Sequence, residues 1–242
     1  MIQVITKEFS SFLNSLIAYV VIGVFLTSMG LLMWVFPETS VLDYGYASMD
    51  ILFSLGPYVF IFLIPAITMR SFAEEKKSGT MELLLTKPLT DWDIILGKFF
   101  ACFLLVLFAL LPTIIYYFSI RALGNPAGNI DTPGVIGSFV GLALLGGVFC
   151  AVGMVASSIT SNQIVAFILA AFLCFMLFTG FDSMASLNVW SANTLFIKQL
   201  GILYHFDALS KGLIDSRDVI YFISVGAFML LISKTILSAR SW

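Results

Sequence analysis

Residues 70–93 read RSFAEEKKSGTMELLLTKPLTDWD and hold nine of the 26 charged side chains in a chain of 242 residues. Elsewhere the sequence is lipid-like: 60% of all residues are hydrophobic, 11% are charged, and the mean hydropathy is +1.04. Uncharged runs of about 18 residues or more recur, and a hydrocarbon layer about 30 Å thick needs about 20 such residues in helix. These features describe an all-α polytopic membrane protein whose polar island is held outside the lipid. Ten-residue stretches of alternating polarity, the signature of a membrane barrel, are absent.

Working outward from the island, the pattern predicts six transmembrane helices over about 12–35, 51–69, 99–120, 135–157, 164–181 and 219–233, forming a single transmembrane domain over 1–242. The first ends at Trp34, Phe36 and Pro37, an aromatic and helix-stopping group suited to a membrane surface. Gly56-Pro57 and Pro65 are expected to kink the second, and Pro112 lies inside the third. Gly137, Gly141, Gly146, Gly147 and Gly153 make the fourth a surface for close helix approach, either within the chain or toward a second subunit. The six residues 158–163 join the fourth and fifth spans as a hairpin.

Residues 1–11 place Lys7 and Glu8 among Ile2, Val4, Ile5 and Phe9, which fits either a short helix along the interface or a frayed tail. Between the fifth and sixth spans, Leu195, Phe196, Leu200, Leu203, Phe206 and Leu209 recur at helical spacing, predicting an amphipathic helix over 193–212. The apolar run after residue 12 is too long for a secretion signal and lacks a cleavage site, so it is expected to remain attached.

Six spans place both termini on the island's side of the membrane. That side carries Lys7, Arg70, Lys76, Lys77, Lys87, Lys98, Lys234 and Arg240, eight of the twelve bases. The other side carries Arg121, Lys198, Lys211 and Arg217. The positive-inside rule therefore puts the island and both termini in the cytosol.

Several chemistries are missing. The formal net charge of −2 and the absence of a basic stripe argue against nucleic acid. The span centres carry no ionisable side chain, which argues against an ion-coupled carrier. His205 has no second His or Cys nearby in sequence to complete a metal site, and Cys102, Cys150 and Cys174 fall in apolar segments as packing residues. No phosphate-cradling G-x-x-x-x-G-K-[ST] occurs, because Gly97-Lys98 is followed by Phe99. The expectation is a non-enzyme with no cofactor of its own, whose energy arrives from a partner.

The island is the natural receiver. Arg70 to Lys77 continues as helix beyond the second span, Ser78-Gly79-Thr80 interrupts it, and Thr80 is a suitable N-cap for 81–86. Lys87-Pro88 stops that second helix, and Thr90 with Asp93 caps the next. Leu83, Leu84 and Leu85 form apolar surface rimmed by charge, suited to a protein contact, to the headgroup zone or to the chain's own helices.

Glu74-Glu75-Lys76-Lys77-Ser78-Gly79-Thr80-Met81-Glu82-Leu83-Leu84, followed by Pro88 and by Asp93 to Lys98, resembles the cytosolic loop of ABC-2 type permeases. A second stretch, His205 to Phe222, and the terminal Ser238 to Trp242 are similar to the gliding-motility-associated permease branch of Bacteroidota. The resemblance implies a permease subunit whose coupling helix, between spans two and three, docks a soluble ABC ATPase that binds ATP and Mg²⁺. It implies Glu74, Glu75, Lys76, Gly79, Thr80, Glu82, Leu83 and Leu84 as the docking set. It also implies pairing with a second permease chain, alike or different, and leaves room for a larger auxiliary membrane subunit. The stretch 193–212 corresponds to the family's external re-entrant helices, with His205, Phe206 and Gly212 in the cap. Two alternatives remain open: a non-transporting scaffold of a motility or secretion complex, and a permease exporting a lipid, glycan or small molecule.

Overall fold

The computed structural model describes residues 1–43, 45, 47–81, 89–186, 194–212 and 214–239, with the backbone alone at residue 17. It is helical throughout, with no strand among the described residues. Five helical segments, 50–78, 91–123, 132–159, 163–186 and 216–238, are long and apolar enough to cross a membrane. A sixth arises if the bent pair at the N-terminus counts as one span.

That pair is α1 (Ile2–Leu13) and α2 (Leu16–Trp34), which meet at an angle of 68°. The expected first span thus starts at residue 16 rather than 12, because the chain turns at Asn14 and Ser15. Residues 2–13 are a formed helix and not a frayed tail. α1 lies along α5 (Asp91–Leu110) so closely that a Cβ on Gly97 would sit 2.8 Å from Cβ of Val4. The Met1 ammonium also reaches Asp93 at 3.3 Å.

α3 (Asp50–Thr68) runs as one helix through both of its prolines, and the break comes at Met69, where α4 (Arg70–Ser78) begins. α5 gives way to a 3₁₀ turn, Leu111–Thr113, at Pro112 and continues as α6 (Ile114–Leu123). The third span is therefore a bent composite. Thr113 Oγ1 donates to the Leu110 carbonyl at 2.6 Å and ties the bend.

α7 (Thr132–Ile159) is the central helix: its most apolar window is 67% buried, against 22% for the fifth and sixth spans. Its small residues explain this. A Cβ on Gly153 would stand 2.7 Å from Cβ of Thr68 in α3, and one on Gly146 would stand 2.9 Å from Val106 in α5. Gly137 and Gly141 face Gly212 and Phe206 in the same way. The glycine stripe is thus spent on contacts within the chain, which decides between the two roles open for it. Adding a methyl at Gly153 overpacks a rigid contact, so Gly153→Ala should cost about 1–3 kcal/mol and lower the thermal midpoint in detergent. Gly23→Ala in α2, where nothing lies within 4 Å of the new carbon, should leave the midpoint in place.

α7 turns through Thr160–Asn162 into α8 (Gln163–Phe175), the expected hairpin, with Asn162 Oδ1 accepting from the Ile164 amide at 2.9 Å. A π-helical turn, Met176–Gly180, leads into α9 (Phe181–Ser186). The stretch predicted as one amphipathic helix is two, α10 (Thr194–Gln199) and α11 (Ile202–Ser210), separated at Gly201, whose backbone is extended. The split changes the apolar face. Ile202, Phe206 and Leu209 are buried, whereas Leu195, Phe196 and Leu200 are exposed. α12 (Ser216–Ser238) returns to the starting end, where Ser238 Oγ lies 3.3 Å from Asp91 Oδ2. Met1 and Ser238 therefore both sit at the start of α5.

Candidate functional site

Two places along α7 organise the functional residues. α4 packs near Ser157 and the α11 segment near Gly137, 20 residues apart. At 1.5 Å of rise per residue that is about 30 Å, one hydrocarbon thickness. α4 and the α11 segment thus sit at opposite ends of the bundle.

At the first place, the break between α3 and α4 is closed by a side chain from another helix. Ser157 Oγ, fully buried, accepts from the amides of Phe72 and Ala73 at 3.0 Å each and donates to the Met69 carbonyl at 3.0 Å. These backbone groups lose their helical partners at the break, and buried polar groups require replacements. One hydroxyl supplies all three.

α4 itself is charged, and four of its five charged side chains are engaged within the chain. Arg70 grips Glu74 with two hydrogen bonds, Nε to Oε2 at 2.7 Å and Nη2 to Oε1 at 3.1 Å, while Nη1 donates to Ser15 Oγ at 3.2 Å. Glu75 Oε1 accepts from Lys98 Nζ at 2.8 Å, and the same ammonium reaches Glu8 Oε1 at 3.2 Å. Lys98 is only 2% exposed and lies 5.5 Å from the centre of the Phe72 ring. Three helices, α1, α4 and α5, thereby share one buried cation against two carboxylates. Among the described residues Glu75 Oε2 is buried without a hydrogen-bond partner. Lys76 Nζ donates to the carbonyl of Ser158, in the last turn of α7, where orphan carbonyls favour a cation.

The tip of α4 faces outward. Lys77, Ser78, Gly79 and Thr80 are exposed. Gly79 adopts φ +70°, and its amide closes the helix on the carbonyls of Glu75 and Lys76. Only glycine takes this left-handed cap freely, which is the turn-shaping role the sequence assigned to it. Ser78 Oγ and Thr80 Oγ1 are 2.9 Å apart. Glu82, Leu83 and Leu84, with the helix expected over 81–86, lie outside the described residues except for Met81, which is buried. The entry to α5 follows its sequence: Thr90 Oγ1 accepts from the Asp93 amide at 3.2 Å, and Asp93 Oδ2 accepts from the Thr90 amide at 3.2 Å.

Of the predicted docking set, then, Glu74, Glu75 and Lys76 are engaged within the chain, and Gly79 and Thr80 are presented. Sequence reasoning missed Ser157, Lys98 and Glu8. A lysine beside a glycine at the mouth of a span was the one available signal, since a close helix contact and a buried cation coincide there.

At the other end, Phe206 and Gly212 lie on α7, whereas His205 meets α10 and α12. The Phe206 ring covers Gly141, and Gly212 (φ +79°) approaches the backbone of Pro133 and Gly134. His205 Nδ1 lies 2.6 Å from Asp218 Oδ1 in α12, and its Nε2 lies 2.8 Å from the Gln199 carbonyl in α10. Beside them a polar cleft is lined by Asp50, Ser54, Ser138, Asp207 and Ser210. Among the described residues no group of three or more His, Cys, Asp or Glu is placed to hold a metal ion.

The sequence model described as "ABC-2 family transporter protein" matches residues 2–238. The probable multidrug ABC transporter permease YbhR of Escherichia coli (strain K12) is 31% identical over 150 residues, covering 60% of this chain and 38% of the relative. The same permease of Escherichia coli O157:H7 matches with the same figures. The match spans under two fifths of the length of these curated relatives. With a family match over nearly its whole length and five to six helices able to cross a membrane, the chain belongs to the ABC-2 transporter permease family.

Proposed function

We propose that the chain is the membrane-spanning permease subunit of an ATP-driven transporter, with α4 and both termini on the cytosolic side of a bacterial inner membrane. Soluble ABC ATPase subunits bind ATP and Mg²⁺ and dock on the tip of α4 and the segment that follows it. A second permease chain completes the path. One observation carries this reading: α4 is fixed at its base by Ser157 and Lys98 yet ends in an exposed polar turn at 77–80. A short lever with a clamped base and a free tip converts a push at the tip into tilt of α3, α5 and α7. The surplus of bases at that end supports the orientation. The resemblance of 205–222 and 238–242 supports assigning the transporter to the gliding-motility-associated branch.

The test is capture of the ATPase. The tagged chain should retain a soluble P-loop ATPase through membrane solubilisation and purification. Lys77→Glu and Glu82→Lys should each lower the captured amount by about ten-fold or more while membrane levels of the chain stay constant. Glu75→Lys is unsuitable, because it would disrupt the internal cluster with Lys98. Unchanged capture in both charge reversals overturns docking at this tip, and absence of any ATPase favours the scaffold alternative.

A further inference from the structure

The third span divides at Pro112, and its two halves meet α7 differently. Proline has no amide with which to continue the helix, and the 3₁₀ turn Leu111–Thr113 redirects the chain there. Before the turn α5 packs directly on α7, with Val106 against Gly146. Beyond it α6 and α7 enclose an open groove of about 530 Å³. Leu110, Ile114 and Phe118 line one wall, and Val135, Phe139 and Ala143 line the other.

The polar side chains in this lining are Tyr117 and Thr132, whose hydroxyls lie 2.9 Å apart and bond to each other. A wall whose polar groups are already paired selects an apolar occupant. From Ala143 to Thr132, at about 1.5 Å per residue, the groove follows α7 for about 16 Å, half of a hydrocarbon layer about 30 Å thick. It therefore spans one leaflet, the one away from α4. Leu111, Ile114, Phe118 and Ile136 along it are exposed, so the groove opens sideways toward lipid.

The mouth carries a base. Residues 114, 117, 118 and 121 follow i, i+3, i+4 and i+7 spacing, so Arg121 stands on the groove face of α6, one turn beyond Tyr117 and Phe118. It is exposed, and among the described residues no ion pair holds it. The carboxylate of Asp131, at the start of α7, is occupied as the N-cap and accepts from the Gly134 amide at 3.3 Å. Tyr117 lies at the level where aromatic side chains meet a membrane surface. A partner helix would cross both leaflets, whereas the groove closes near Ala143, where α5 comes onto α7. A small apolar solute would leave the guanidinium unused.

We infer that this groove holds one acyl chain of a phospholipid with an anionic headgroup, that Arg121 pairs with the headgroup, and that the lipid is a bound part of the membrane domain. The chain fills the wedge that Pro112 opens between α6 and α7. The inference goes beyond ATPase docking and does not depend on it.

The probe is phosphatidylglycerol carrying a photoreactive diazirine midway along one acyl chain, beside phosphatidylcholine with the same chain. Each is added at low fraction to phosphatidylcholine nanodiscs holding the full chain, cross-linked, and mapped by peptide mass spectrometry. Label should concentrate in 107–118 and 135–143. Phosphatidylglycerol should label these segments about five-fold more than phosphatidylcholine, the size of one surface base acting on an anionic lipid. Arg121→Gln, which breaks no ion pair within the described chain, should abolish that preference and leave the labelled positions unchanged. Ala143→Phe fills the closed end and should lower label from both lipids in the two segments. Label on the exposed face of α8 at Ile164, Ile168 and Phe172 should stay constant in that variant. Label spread evenly over the groove and the α8 face overturns the site as ordinary boundary lipid. A preference that is absent in the wild type, or that survives Arg121→Gln, overturns the pairing with Arg121. Cross-links from the groove to a second copy of the chain, in place of lipid, overturn the inference as well.

Discussion

Replacing Lys98 by Met should remove about 3–5 kcal/mol of stability, the usual cost of leaving a buried carboxylate without its partner. The ammonium is 2% exposed and meets the carboxylates of Glu75 and Glu8, each 16% exposed; Glu8 also reaches Lys7 at 3.5 Å. Glu75 Oε2 already lacks a partner among the described residues, so removing Lys98 leaves that side chain with no hydrogen bond there. Methionine matches the length of the lysine stem, so the loss reports charge rather than volume. The check is the thermal midpoint and folded yield in detergent, beside the triple variant Lys98→Met, Glu75→Gln, Glu8→Gln. The triple variant removes the uncompensated charge and should recover most of the loss. A stable single variant would show that the three helices are not held by this cation.

The second large effect is expected at Ser157. Ser157→Ala leaves the amides of Phe72 and Ala73 buried without acceptors, at about 1–3 kcal/mol per orphaned group. A total near 3 kcal/mol is expected, because the backbone relaxes part of the way toward regular helix. The loss should be local. Hydrogen exchange should rise in 69–78 while 94–106 of α5 remains protected. If the proposed function holds, the complex reconstituted with this variant should still hold the ATPase, since the tip at 77–80 is untouched, but ATP hydrolysis should no longer drive transport. Unaltered exchange at Phe72 and Ala73 would mean that α4 is held some other way.

Both effects involve contacts between residues 23 to 90 positions apart in the chain, and that separation explains what the sequence withheld. Glu74, Glu75 and Lys76 stand in a charged run that reads equally well as a surface for a partner. Glu75 and Lys76 turn inward on Lys98 and Ser158, which no local pattern connects to them, whereas Glu74 pairs with Arg70 four positions away. Gly79 behaves differently. Its left-handed cap follows from the residues beside it, and the sequence identified it correctly. The same holds for the capping pair Thr90 and Asp93. The external segment shows the boundary between the two cases. Helical spacing was legible from Leu195 to Leu209, but the chain breaks at the extended Gly201, so Ile202, Phe206 and Leu209 are buried while Leu195, Phe196 and Leu200 are exposed.

The amino-acid sequence by itself determined that the chain is helical, that several of its helices are long and apolar enough to cross a membrane, and that 158–163 is a tight hairpin. Hydropathy, caps and turn residues act over one or two turns of chain, so these features need no knowledge of neighbours. Tertiary structure alone decided which charges of the island are internal and which helices its glycines join. It also decided that the single histidine meets Asp218. Such pairings are set by close packing around α7, where the position of one side chain depends on atoms contributed from distant parts of the chain.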